Sequence, residues 1–315
     1  MIYEPGIKNF YIIYFPRSVM LDALSQLLFF AITFVAGFLG ALMGIGGGII
    51  VVPALTIIFG VPIKEAIAIS AATVVATSIS GGSSYVEQRI TNIRLAMFLE
   101  TSTTLGALVG AILVMLIAGE YLYVLFSLLA FYLALSQILS VKREVKKMEN
   151  NDFMNVVQDR ISKFFHLRGD YFDESINRRI EYLVKNSFIG WIISFFAGLG
   201  SGLLGIGGGV FKVSAMNVFM NVPLKAAVAT SKFMIGVTAA TSAILYYVSG
   251  LLNLEYIAPA ALGTMLGAAV GTAIMNKLKV KWLKILFFAI MCYIGYNMLG
   301  KGLLLTVGVR LPLIS

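Results

Sequence analysis

Eight long apolar runs, separated by brief polar punctuation, fill most of this chain. Ser18–Met43, Lys64–Val86, Leu95–Ala118 and Tyr121–Val141 precede a polar stretch; Ser187–Leu204, Lys225–Ser249, Tyr256–Met275 and Trp282–Thr306 follow it. Each approaches or exceeds the ~20 residues that a spanning helix needs. The runs are continuous and poor in two-residue alternation, which predicts helices rather than strands. Two further apolar segments are too short. Ile49–Gly60 and Val210–Asn221 each follow a GIGGG run, and a dozen residues of helix reach only ~18 Å against ~30 Å of hydrocarbon. Each is therefore half of a broken helix or the return limb of a re-entrant hairpin.

The pattern is written twice. Gly44 and Gly205 open the two GIGGG runs, an offset of 161, and the offset holds without a gap from Ala36 to Leu113. Roughly three in ten aligned positions are identical, enough to mark an internal repeat. GVPIKEAIAIS (Gly60–Ser70) matches NVPLKAAVATS (Asn221–Ser231), and TLGALVGA (Thr104–Ala111) matches MLGAAVGT (Met265–Thr272). The loops that correspond differ in charge. Gly119–Glu120 is short and acidic where the second half has KLKVKWLK (Lys277–Lys284), and Arg89 and Arg94 flank a loop whose counterpart, Ser249–Glu255, has lost both. Basic residues favour the cytoplasmic side, so equivalent loops are expected on opposite faces. This predicts two inverted-topology repeats with the central loop in the cytoplasm and both termini outside; Lys8 and Arg17 pull the other way.

The expected organisation is an N-terminal segment (1–18), membrane repeat A (19–141), a cytoplasmic polar connector (142–186) and membrane repeat B (187–309). The fold class is an all-α polytopic membrane protein of about 4–5 transmembrane segments per repeat, with Gly-broken half-helices or re-entrant hairpins. The connector stretch Lys142–Lys185 carries ten Lys/Arg and eight Asp/Glu. DRISKFF and INRRIEYLV read as short amphipathic helices on the membrane surface, within a largely solvated linker.

Composition agrees with a membrane protein: 59% of residues are hydrophobic, 12% are charged, and the mean hydropathy is +0.91. A soluble domain of this length needs far more polar surface. The first apolar run starts late and lacks a small-residue cleavage site, so it does not read as a cleavable signal. Much of the net charge of +9 collects in loops beside spanning helices, where it sets orientation, and it implies no nucleic-acid partner. With one cysteine, Cys292, and one histidine, His166, the chain offers neither a metal cluster nor a nucleophile–base pair. No cofactor is expected, and GIGGG lacks the strand-led frame of a dinucleotide site.

Glycine breaks at corresponding places in two inverted halves are the best sequence pointer to a transporter's binding site. The N–H groups of Gly46, Gly47 and Gly48, and of Gly207, Gly208 and Gly209, are expected at helix N-termini, where the dipole favours an anion. Lys212 and Lys232 fall inside apolar segments, where an ionisable group costs at least ~2.5 kcal/mol, so they either meet a visiting anion or snorkel to the interface or stay neutral. Their first-half equivalents are Val51 and Ala71. Ser70, Thr73, Thr230 and Ser231 supply hydroxyls to complete an anion's hydrogen bonds, or pack helices closely. Glu100, more than a turn inside its run, is the candidate for a coupled proton or for pairing with a lysine. Gly106, Gly110, Gly267 and Gly271 form small-residue faces for helix packing.

The doubled glycine motif, SGLLGIGGGVFKV (Ser201–Val213) and VPLKAAVATSKFMIGVTAATSA (Val222–Ala243) resemble the sulfite exporter TauE/SafE family of membrane permeases. The resemblance covers both membrane halves but not the connector. It implies an inverted-repeat secondary transporter in the cell membrane, with sulfite, sulfate or organosulfonates as cargo and export as the usual direction. Two positions depart from the family pattern: Ser214 stands where VP is usual, and Lys232 where asparagine is usual. The resulting expectation is alternating access around a central site for a small sulfur-containing anion, driven by a proton, ion or cargo gradient, with a homodimer left open. A passive anion channel and a membrane sensor or scaffold acting through the connector are the alternatives; an enzyme is not expected.

Overall fold

The computed structural model describes residues 23–309 apart from 44, 151–152, 155, 174–176 and 276–279. The N-terminal segment 1–18, the first residues of repeat A and part of the basic stretch Lys277–Lys284 lie outside the described residues. The first half comprises α1 (Ala23–Met43), a short α2 (Gly48–Pro53), α3 (Ile63–Glu87), α4 (Ile93–Leu116) and α5 (Gly119–Asn150). The second comprises α7 (Ser187–Leu204), a short α8 (Gly209–Ser214), α9 (Leu224–Val248), α10 (Leu254–Met275) and α11 (Val280–Thr306). Among the described residues, six helices are long and apolar enough to cross a membrane: α3, α4, α7, α9, α10 and α11. The apolar parts of α1 and α5 are shorter, Gln26–Leu42 and Gly119–Leu135.

The 161-residue offset is written in conformation as well as in sequence. It carries Ile63–Glu87 onto Leu224–Val248 end to end, and it carries the π-helical turn Ala54–Ile58 onto the π-helical turn Ala215–Phe219. Gly60 and Asn221 share a left-handed backbone (φ 65° and 62°), as do Arg89 and Gly250 (φ 55° and 73°). Pro53 breaks the ladder before the first π turn. The same turn persists where Ser214 replaces it, so proline alone does not create it.

The glycines fix how helices lie together. Gly106 and Gly110 of α4 press on the backbone of Phe195 and Leu199 of α7, in register, so α4 and α7 run parallel. Gly267 and Gly271 of α10 do the same on Phe34 and Phe38 of α1. The small-residue faces read from the sequence are thus close helix contacts. The equivalent pair α3 and α9 behaves differently. Gly236 meets Ser78 while Gly82 meets Phe233, a descending register that makes the two helices antiparallel. The equivalents α5 and α11 are antiparallel too, with Gly295 on Phe131 and Gly302 on Val124.

After α1 the chain doubles back. A Cβ at Gly47 would stand 2.8 Å from the carbonyl oxygen of Ala36, eleven residues earlier. A helix continuing straight would hold those residues ~16 Å apart. α2 then descends beside α3 to the turn at Gly60, and α8 repeats the reversal in the second half, where Gly208 meets Ala197.

The connector is a folded cap. α5 continues past Val141 to Asn150, and DRISKFF supplies α6 (Arg160–Phe164) as expected. INRRIEYLV, expected as helix, instead forms β2 (Arg178–Leu183), antiparallel to β1 (Arg168–Asp173) with Tyr171 opposite Ile180. Its alternation decides this: Ile180 and Tyr182 are buried while Arg179 and Glu181 are exposed, a period of two rather than 3.6. That inner face packs with Leu167 against Leu95 and Leu99 of α4 and against Met216, Met220 and Val222 at the base of the second doubled-back segment. Lys225 donates to Asp173 at 2.6 Å, and Asn221 Nδ2 donates to the carbonyl of Phe153 at 3.0 Å. Burial pushes the Tyr182 phenol up to about 12, so it stays neutral while accepting from Asn92 Nδ2 at 3.1 Å. A solvated linker does not describe this segment.

Candidate functional site

The two GIGGG runs meet at the middle of the helical body. Gly48 lies against the carbonyl of Gly205, and a Cβ added at Gly48 would stand 3.0 Å from the Cα of Ile206. Ser70 ties the runs together: its Oγ lies 2.7 Å from the Gly205 carbonyl oxygen and 3.3 Å from that of Gly48. Its equivalent, Ser231, donates to the Gly209 carbonyl at 3.1 Å. Thr77 donates to the Gly46 carbonyl at 2.9 Å. Ser70 and Thr77 bracket the midpoint of α3, so the breaks sit halfway along it.

Only glycine serves there. Gly46 and Gly207 hold φ 89° and 78°, and Gly47 and Gly208, which cap α2 and α8, hold 80° and 64°. Left-handed backbone costs any other L-residue ~1–2 kcal/mol. The first turn of each short helix leaves its N–H groups without intrahelical acceptors. Since α2 runs against α3, α8 against α9, and α3 against α9, the two N-termini point at each other. Val74 and Ile235, fully buried and equivalent by the offset, fill the space between them. A Cβ at Gly46 would stand 3.1 Å from Val74 and 3.2 Å from Ile235.

Lys212 and Glu100 form a second group. Lys212, on α8 and wholly buried, donates to Thr238 Oγ1 at 2.5 Å, and that hydroxyl lies 2.7 Å from Glu100 Oε1 on α4. Lys212 Nζ stands 3.7 Å from Glu100 Oε2, which accepts no hydrogen bond among the described residues. Thr104 donates to Glu100 Oε1 at 3.3 Å. Lysine, hydroxyl and carboxylate thus join three helices of the two halves. Removing one partner of such a pair strands the other charge in low dielectric.

Lys232 stands elsewhere. It is wholly buried, faces Gly81 of α3, and its Nζ has no hydrogen-bond partner among the described residues. Thr73 donates to the Ser70 carbonyl, and Thr230 accepts from the backbone N–H of Asn92 at the start of α4. The expected residues therefore divide. Gly46–Gly48, Gly207–Gly209, Ser70 and Ser231 come together at the crossing, Lys212 joins Glu100, and Lys232, Thr73 and Thr230 occupy neighbouring helix interfaces.

Thr77, Thr238, Val74 and Ile235 were not singled out from the sequence. A signal existed for the threonines, which are identical at the 161-residue offset. Val74 and Ile235 read as ordinary core.

The sequence profile of sulfite exporter TauE/SafE matches residues 29–298, a span that includes both glycine runs and the ion pair. The chain belongs to the TauE/SafE family. It is similar to the probable membrane transporter protein YunE of Bacillus subtilis, 26% identical over 276 residues, covering 85% of this chain and 95% of that protein. It is also similar to YdhB of the same organism, another probable membrane transporter protein, at 24% identity over 250 residues, 79% of this chain and 89% of that one. No solved structure matches. This TauE/SafE member is a multi-pass membrane transporter of the cell membrane.

Proposed function

We propose that the protein is a secondary transporter that exports small sulfur-containing oxyanions, such as sulfite, sulfate or organosulfonates, by alternating access around a central anion site. The observation that carries this is the head-to-head meeting of two glycine-capped helix N-termini at mid-depth. Two positive dipole ends repel each other in a dry interior, and an anion between them removes that repulsion. The glycine N–H groups replace part of the anion's water, Lys212 and Lys232 supply charge, Ser70, Thr73 and Ser231 exchange their backbone acceptors for cargo, and Thr230, whose hydroxyl accepts from the Asn92 N–H, turns its own proton to cargo.

The halves are inverted repeats, each contributing one re-entrant hairpin. Antiparallel packing of the equivalents α3 and α9 supports this, because an axis along the membrane normal would make equivalent helices parallel. The connector and the basic loops mark the cytoplasmic side. Val74 and Ile235 form the barrier that must part when one half rocks against the other. Glu100 couples a proton to the cargo: protonated, it releases Lys212 to the anion, and ionised, it reclaims the lysine. Its unsatisfied Oε2 and the 3.7 Å separation from Lys212 support a pair that can open.

A ligand that binds only the folded state raises its melting temperature. Sulfite, sulfate, thiosulfate, sulfoacetate, taurine and phosphate should therefore be compared by thermal shift on the purified protein. A shift for at least one sulfur oxyanion, and none for zwitterionic taurine, is expected. No shift with any anion at millimolar concentration contradicts the site.

A further inference from the structure

We propose that the groove between the base of α4 and the end of α6 is a binding site for an anionic phospholipid of the leaflet that meets the connector. The groove encloses about 800 Å³. Its floor is the first two turns of α4, and its wall is Phe164, Phe165 and His166. The occupant must satisfy two conditions at once, one apolar and one charged.

The apolar condition comes from the exposed side chains. Met97 is 60% exposed and Phe164 76%, and the same face of α4 continues upward through the exposed Leu105, Ile112 and Leu116. The groove is thus the foot of the stripe that this spanning helix turns to hydrocarbon, and an acyl chain lying on that stripe enters it without leaving lipid. Trp191 of α7 marks the interface level, donating its indole N–H to Thr101 on the α4 side of the groove at 3.1 Å.

The charged condition comes from Arg94, with the His166 imidazole beside it as a further hydrogen-bonding group; among the described residues the lining includes no carboxylate. Arg94 sits on the first turn of α4, at the level where a headgroup phosphate lies, and a guanidinium fits a phosphate with two parallel hydrogen bonds. α6 adds the exposed Arg160 and Lys163 to this edge.

The wall is preformed. α6 ends in a left-handed residue, His166 (φ 51°), with the His166 N–H bonded to the Lys163 carbonyl and the Leu167 N–H to that of Ser162. This pair of bonds is a Schellman closure. It sets Phe165 against Phe98 with ring centroids 5.3 Å apart and sends Leu167 into the core shared with α4 and the base of α8. A lipid seated here bridges a spanning helix and the connector, so its binding steadies the cap beneath the second hairpin.

Native mass spectrometry of the full-length protein tests this with dioleoyl phosphatidylglycerol, dioleoyl phosphatidylcholine and soluble glycerol phosphate as probes. Phosphatidylglycerol should bind in preference to phosphatidylcholine, and Arg94→Gln should weaken it about tenfold, as expected for loss of a charge-assisted contact. Phe164→Ser should weaken both lipids. A photoreactive amino acid at Phe164, at the exposed rim, should crosslink to phosphatidylglycerol, which keeps the test valid if the glutamine variant is poorly folded. Equal binding of the two lipids, glycerol phosphate binding as tightly as phosphatidylglycerol, an unchanged Arg94→Gln, or no crosslink each overturns the proposal. None of these results depends on which anion is transported.

Discussion

Replacing Gly208 by alanine is expected to destabilise the protein by ~2–5 kcal/mol, from left-handed backbone strain together with overpacking. The new Cβ would stand 2.5 Å from the carbonyl oxygen of Ala197 and 3.2 Å from Ser201 Cβ, and backbone cannot yield as a flexible side chain does. Gly60 is the control. It holds a similar φ of 65°, but a Cβ there meets nothing within 4 Å, so Gly60→Ala should lose only the ~1–2 kcal/mol of backbone strain. Thermal unfolding in detergent separates the two, with Gly208→Ala well below Gly60→Ala and its flux lost. Equal melting temperatures would mean that the chain does not reverse against α7 as described.

The second large effect is at the buried ion pair. Lys212→Met leaves Glu100 without its counter-charge, a loss of ~3–5 kcal/mol for a single broken buried pair. The double variant Lys212→Met/Glu100→Gln should recover most of that stability, because neither charge remains. It should stay inactive if Lys212 binds cargo. Glu100→Gln alone frees the lysine permanently, so anion binding should persist while the pH dependence of transport flattens. Melting curves and flux in reconstituted vesicles read these outcomes. An active double variant would assign the pair a purely structural role.

Much of the architecture was legible from the sequence because apolar runs near twenty residues leave a chain few choices in a bilayer. The offset between Gly44 and Gly205 foretold equivalent helices, and the small-residue faces at Gly106 and Gly267 foretold close packing. The shortness of Ile49–Gly60 narrowed the break to two geometries, and the contact between Ala36 and Gly47 selects reversal. The connector was misread because helical spacing was sought in a charged segment. The alternation Arg179, Ile180, Glu181, Tyr182 acquires meaning only with Met216 and Met220 beneath it, and that burial is tertiary. The candidate site was partly legible for the same reason. Glycines and lysines stand out in an apolar run, whereas Val74 and Ile235 do not, although they fill its centre. The partner of Lys212 lies 112 positions earlier in the chain, and no spacing rule links Glu100 to it.

The central claim is that cargo crosses on a saturable site between the two glycine hairpins rather than through a pore. Exchange of radiolabelled sulfite in proteoliposomes measures it most directly. With unlabelled sulfite on the far side, labelled flux should accelerate and saturate in the wild-type protein and vanish in the Lys212→Met/Glu100→Gln variant. Flux that rises linearly with sulfite, indifferent to the far side, would contradict the account and favour a passive channel.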